Sequence, residues 1–115
     1  MISFACKEIQ LKDIIKCSFD LKKTDYIIFN FLMNSDSELS ITDIAKKLKL
    51  ERSGVQKAIQ NLVVRELVLR RQVNLDNGGY QFFYSIKNKD EIKSRVEKII
   101  DSWQRKAKEA VKDWA

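Results

Sequence analysis

The stretch from Ser40 to Arg71, SITDIAKKLKLERSGVQKAIQNLVVRELVLRR, constrains the fold more than any other part of the chain. Ile41, Ile44, Ala45 and Leu48 recur at steps of three and four, the spacing of one apolar stripe on a short helix. Val55, Ala58, Ile59 and Leu62 repeat it, while Ser53, Gln56, Lys57, Gln60 and Val64 fall on the opposite face. Only Lys49-Leu50-Glu51 separates the stripes. That leaves room for a sharp turn, with Leu50 as an apolar plug holding two helices at a steep angle, the pattern of a helix-turn-helix. The segment from Lys46 to Arg71 carries Lys46, Lys47, Lys49, Arg52, Lys57, Arg65, Arg70 and Arg71 against Glu51 and Glu66, so its net charge equals the +6 of the whole chain. The second helix therefore offers long hydrogen-bonding side chains with no acidic residue before Glu66. Arg and Lys suit guanine edges and Gln suits adenine.

Two β-prone runs follow, Leu67 to Val73 and Tyr80 to Ile86, separated by Leu75-Asp76-Asn77-Gly78-Gly79. Asn and Gly accept the positive φ angles of a tight hairpin turn. Helix, turn, helix, hairpin is the order of a winged helix. Period-two alternation sets Val68, Gln72 and Asn74 on one face and Leu67, Leu69, Arg71, Val73 and Leu75 on the other, with Phe82 and Tyr84 opposed to Phe83 and Ser85. Clustered Tyr80, Phe82, Phe83 and Tyr84 could stack single-stranded bases, but hairpin aromatics more commonly cover a core, and that reading is preferred. The wing tip holds no Arg or Lys of the kind that enters a minor groove.

Four further segments carry a resemblance to a known family. Leu21-Lys22-Lys23-Thr24-Asp25-Tyr26 opens a helix continuing to Leu32; Ile44-Ala45-Lys46-Lys47-Leu48 lies in the next; Arg52-Ser53-Gly54-Val55-Gln56-Lys57-Ala58-Ile59 begins the recognition helix; Leu62 to Val68 enters the wing. From Leu21 to Lys87 the chain resembles winged-helix regulators of the MarR and TrmB type, especially small archaeal ones. The resemblance implies transcription regulation through double-stranded DNA. Two positions depart from such families, which usually have Ser or Thr where Glu51 stands and Gly where Glu66 stands.

On the flanks, Ile9, Ile14, Ile15 and Cys17 suggest one helix over about Lys7 to Cys17. Tyr26, Ile27, Phe29, Phe31, Leu32 and Met33 make Lys23 to Asn34 too apolar for a surface helix, so it is expected at the centre of the core, capped by Thr24 or Asp25. Leu39-Ser40-Ile41 is expected to bridge to the wing, with Ser40 or Thr42 capping the next helix. A long helix from Asn88 to Trp114 repeats its apolar residues every 11 positions: Ile92 with Trp103 and Trp114, Val96 with Ala107, Ile99 with Ala110, Ile100 with Val111. Such a stripe stays nearly straight. With two tryptophans it projects past a small domain and needs a partner surface, for which the same helix or the first helix of a second subunit is preferred over folding back on its own domain. Residues 1–20 are thus assigned to dimer support, 21–87 to the winged helix-turn-helix and 88–115 to dimerisation.

Enzymatic chemistry has no foothold. There is no histidine, no G-x-S-x-G and no phosphate-cradling glycine loop. Cys6 and Cys17, if on one helix, stand about 16 Å apart, beyond disulfide reach, and without CxxC spacing no zinc ligand set exists. No metal or cofactor is expected. Absence of an apolar run of about 18 residues argues against a membrane span, and MISFACKEIQ shows no signal-peptide pattern, so a cytoplasmic protein is expected.

The fold expected is mainly α with a small β-hairpin (α+β), a winged helix-turn-helix with a long C-terminal dimerisation helix. The function expected is a homodimeric, sequence-specific regulator of double-stranded DNA, most simply a repressor. Arg52, Ser53, Gln56, Lys57 and Gln60 are the candidate base contacts; Lys46, Lys47, Lys49, Arg70 and Arg71 the candidate phosphate contacts. Ile92, Val96, Ile99, Ile100, Trp103, Ala107, Ala110, Val111 and Trp114 are the candidate dimer interface. A winged helix used for protein contact, or a nonspecific chromatin-type coat, are the alternatives. The sequence names no small-molecule effector.

Overall fold

A computed structural model describes residues 2–115. Its elements run β1 (Ile2–Ser3), β2 (Glu8–Ile9), α1 (Leu11–Phe19), α2 (Lys23–Met33), α3 (Ile41–Leu48), α4 (Arg52–Val64), β3 (Val68–Asn74), β4 (Tyr80–Ile86) and α5 (Lys89–Lys112). At the centre lies α2, as its apolar content demands: Ile28, Phe29 and Leu32 are each at most 2% exposed. The Lys22 N–H donates to the Asp25 carboxylate at 3.0 Å, capping the helix start. Asp25 is itself buried and accepts a second bond, 2.8 Å long, from the Asn61 side-chain amide on α4. Around α2 the core closes with Phe19, Ile44, Val55, Ile59, Leu62, Leu67 and Val68.

Strands β3 and β4 pair antiparallel in a register running from Val68↔Ile86 to Asn74↔Tyr80. Gly78, at φ +88°, takes the left-handed turn position that a side chain would strain. The expected bridge is present: Leu39 and Tyr84 exchange backbone hydrogen bonds of 3.0 and 2.8 Å. The aromatic cluster divides along the hairpin. Tyr84 is buried and Phe82 packs against the core, while Tyr80 at the outer end stays exposed, its ring edge-on to Phe82 at 5.3 Å. Burial pushes the Tyr84 phenol above its ordinary pKa, partly offset by the nearby Arg70 cation.

The N-terminus differs from expectation. In place of a helix over Lys7 to Cys17, Ile2 pairs with Ile9 across a tight turn closed by the Phe4 N–H on the Lys7 carbonyl at 2.8 Å. Helix α1 starts only at Leu11 and continues past Cys17, so that Phe19 reaches the core edge-on to Phe29. Two-residue strands carry too little alternation to be read from sequence, and Ile9, taken for a helical position, belongs to β2. Cys6 therefore sits in the hairpin turn and Cys17 on α1, both exposed and unbridged.

Asn88 caps α5, its side-chain oxygen accepting the Glu91 N–H at 3.0 Å. Ile92 is sealed into the core and Val96 packs against it. Past Val96 the helix leaves the domain, which stretches the molecule to 69 × 24 × 22 Å. Among the described residues no helix is long and apolar enough to cross a membrane.

Candidate nucleic-acid interface

Helix α3 is set by a reciprocal cap: the Asp43 N–H donates to the Ser40 hydroxyl at 3.1 Å and the Ser40 N–H to the Asp43 carboxylate at 3.2 Å. Lys49 ends the helix in the left-handed region at φ +56°, and the Leu50 N–H turns back onto the Ala45 carbonyl at 2.9 Å. Leu50 packs against the core, the plug expected of it. The sharp turn delivers α4 with its stripe inward: Val55, Ala58, Ile59 and Leu62 are each at most 3% exposed. Ser53, Gln56, Lys57 and Gln60 then necessarily face outward, and all four are exposed, as is Arg52 in the first turn. Glu51 caps α4 by backbone alone, its side chain making no capping bond among the described residues.

Lys46, Lys47 and Lys49 are exposed at the end of α3 and the turn. Arg70 and Arg71 are exposed too, but strand alternation sends them to opposite faces of the wing. Arg70 sits opposite Tyr84, its guanidinium 4.5 Å from the Phe82 ring centre. Arg71 is ion-paired with Glu38 at 2.8 Å and stands 6.0 Å from the Phe83 ring. Two neighbouring cations thus have different surroundings, which grouping them by sequence position overlooked.

Two features escaped the sequence reading. A cleft of about 500 Å³ lies between the start of α2 and one flank of α4, lined among others by Asp20, Lys22, Lys57 and Arg65; Lys22 beside Thr24 and Asp25 was the available signal. The other is Arg95, which reaches from α5 to the end of α4 and donates to the carbonyls of Arg65 and Glu66. A cation one turn beyond a core residue on a long helix looks in sequence like any solvated charge.

The stripe expected to serve a partner begins later than the sequence suggested, because Ile92 and Val96 are used by the domain itself. Beyond them Ile99 and Ile100 are each 39% exposed, Trp103 62%, Val111 66% and Trp114 80%. Ile99, Ile100 and Trp103 form one wall of an open apolar groove of about 470 Å³, with Ile2, Phe4 and Ile9 of the N-terminal hairpin on the other.

The chain's residues 19–76 match the family model described as MarR family. Protein MJ1503 of Methanocaldococcus jannaschii is 32% identical over 114 residues, covering 98% of this chain and 85% of that protein. A solved structure described as a possible transcriptional regulator from Methanosarcina mazei is 37% identical, covers 99% of this chain and 96% of its own, and superposes with a TM-score of 0.87. At 16% identity a MepR variant of S. aureus bound to an oligodeoxyribonucleotide shares the fold with a TM-score of 0.57, covering 90% of this chain and 73% of its own.

Proposed function

Since the chain belongs to the MarR family, we propose that it is a transcription regulator that binds double-stranded DNA as a homodimer and represses by occupying promoter DNA. The observation that carries this reading is the clean division of α4: four apolar side chains locked inward, with Arg52, Ser53, Gln56, Lys57 and Gln60 left to face a partner. All five are donors or donor-acceptors, the chemistry that reads base edges in a major groove. Lys46, Lys47, Lys49 and Arg70, all exposed, are assigned to phosphates, and Arg71 adds charge once its exposed pair with Glu38 exchanges for a phosphate. The Methanosarcina mazei relative's description as a possible regulator and the fold shared with a DNA-bound MepR variant lend support.

Dimerisation is supported by the exposed stripe from Ile99 to Trp114 and the apolar groove beside it, surface that a lone chain would leave in water. Two copies joined there would hold their recognition helices about one duplex turn apart, roughly 34 Å, on a pseudo-palindromic site. The protein-contact alternative calls for an apolar patch on the recognition face. Val64 is exposed there, but Phe82 packs against the core beneath Arg70, and a lone exposed valine is ordinary.

Selection of binders from a random duplex library tests the reading. Enrichment of a two-fold symmetric motif whose half-sites lie about 10 base pairs apart is expected. Tight binding without any enriched motif would favour the chromatin-type coat, and no binding at low salt would favour protein contact.

A further inference from the structure

A C-terminal helix end leaves carbonyls without intrahelical partners. In α4 the chain turns back at Glu66, at φ +59°, with the Leu67 N–H on the Leu62 carbonyl and the Glu66 N–H on the Val63 carbonyl, both at 3.0 Å. The carbonyls of Arg65 and Glu66 are not the acceptors in these bonds. Both are taken by one side chain of another element: Arg95 of α5 donates Nη2 to Arg65 O at 3.0 Å and Nη1 to Glu66 O at 3.1 Å. Its guanidinium also lies 4.9 Å over the ring of Phe19, the buried end of α1.

We propose that Arg95 is the positioning residue that locks the long helix to the recognition helix and so sets how far apart the two recognition helices of a dimer stand on DNA. The proposal rests on the dimeric DNA-binding reading above. Ile92 and Val96 also hold α5 to the domain, but apolar contacts are not directional and permit a helix to roll or swing. A planar fork on two successive carbonyls, stacked on a ring, fixes direction as well as distance. The cation also faces the negative end of the α4 dipole, where it is favoured. Leverage makes this matter: a swing of about 10° over the roughly 25 Å of α5 beyond Arg95 moves its end by about 4 Å, more than one base-pair step of about 3.4 Å.

Two measurements on the full chain test it. The first needs no DNA. Spin labels at Gln60→Cys and Lys106→Cys, in a Cys6→Ser, Cys17→Ser background diluted with unlabelled chains, report the α4–α5 distance within one protomer. A single narrow distribution is expected, broadened in part by Arg95→Lys, which keeps the charge and a donor but not the planar fork, and at least twofold by Arg95→Met, which retains the apolar stem but no donor. The second uses the selected half-sites with the spacer varied one base pair at a time. Wild type is expected to prefer its best spacing by about tenfold, Arg95→Met by no more than about twofold, with dimer mass and affinity for random duplex unchanged. An Arg95→Met distance distribution as narrow as wild type would overturn the proposal, as would an unaltered spacing profile. Should wild type bind no duplex, the functional reading falls, while the distance measurement still decides whether Arg95 holds the two helices together.

Discussion

Three helices end on a residue that carries a Cβ yet lies in the left-handed region: Asp20 at φ +53°, Lys49 at +56° and Glu66 at +59°. That conformation disfavours any side chain but glycine by about 1–2 kcal/mol. Glu66→Gly should therefore stabilise the fold by about 1 kcal/mol, raising the thermal midpoint by about 4 °C, with the Arg95 bonds retained because they end on backbone carbonyls; an unchanged or lowered midpoint would contradict it. The unusual Glu66 was visible in sequence as a departure from family pattern. Asp25 was visible only in part, as a cap. Its second role, accepting from Asn61, joins residues 36 positions apart, and no local spacing reports such a bond. Asp25→Ala strands the Asn61 amide and the Lys22 N–H, so a loss of about 2 kcal/mol in urea denaturation is expected, with unchanged slope.

At the scale of elements, strand alternation separates Arg70 from Arg71, and salt dependence reads the difference. Lys46→Ala and Arg70→Ala should each lower the slope of log affinity against log salt by about 1. Arg71→Ala should lower it by less, because the ion pair with Glu38 competes with phosphate for that guanidinium; equal effects would contradict the wing geometry. The same hairpin carries an alkaline liability in Tyr84. Its folded pKa is raised above 10.0, so neutral Tyr84 is favoured in the folded state and stability is fully present below about pH 10. It falls as the pH climbs through the higher folded value, and Tyr84→Phe should flatten that decline. Helices α3, α4 and α5 were legible because each repeats its apolar period over a full element, α2 because of its bulk apolar content, and the wing because two β-prone runs flank an Asn-Gly turn, whereas β1 and β2, two residues each, fall below the length at which alternation can be recognised.

For the whole molecule, the decisive feature is asymmetry. Its winged domain is closed around α2, while the far end of α5 keeps Trp103, Val111 and Trp114 in water. Sequence periodicity located the stripe, but which residues serve the chain's own core depends on where α5 crosses it, and that is a tertiary fact: Ile92 and Val96 went inward. Trp103→Glu should shift sedimentation from two chains to one while leaving the circular dichroism of the domain intact. Monomeric binding would then be weak, because a single recognition helix engages one half-site.

The outward face of α4, with the exposed cations of α3 and the wing, is expected to bind duplex DNA. The most direct measurement follows binding of the wild type and of Arg52→Ala, Lys57→Ala to random duplex and to the gene's own upstream region across a salt series. Wild-type affinity should fall steeply with salt, favour a specific duplex, and drop by about 2–6 kcal/mol in the double variant. Wild-type binding that the double variant leaves unchanged, or no binding to either duplex at low salt, would contradict it.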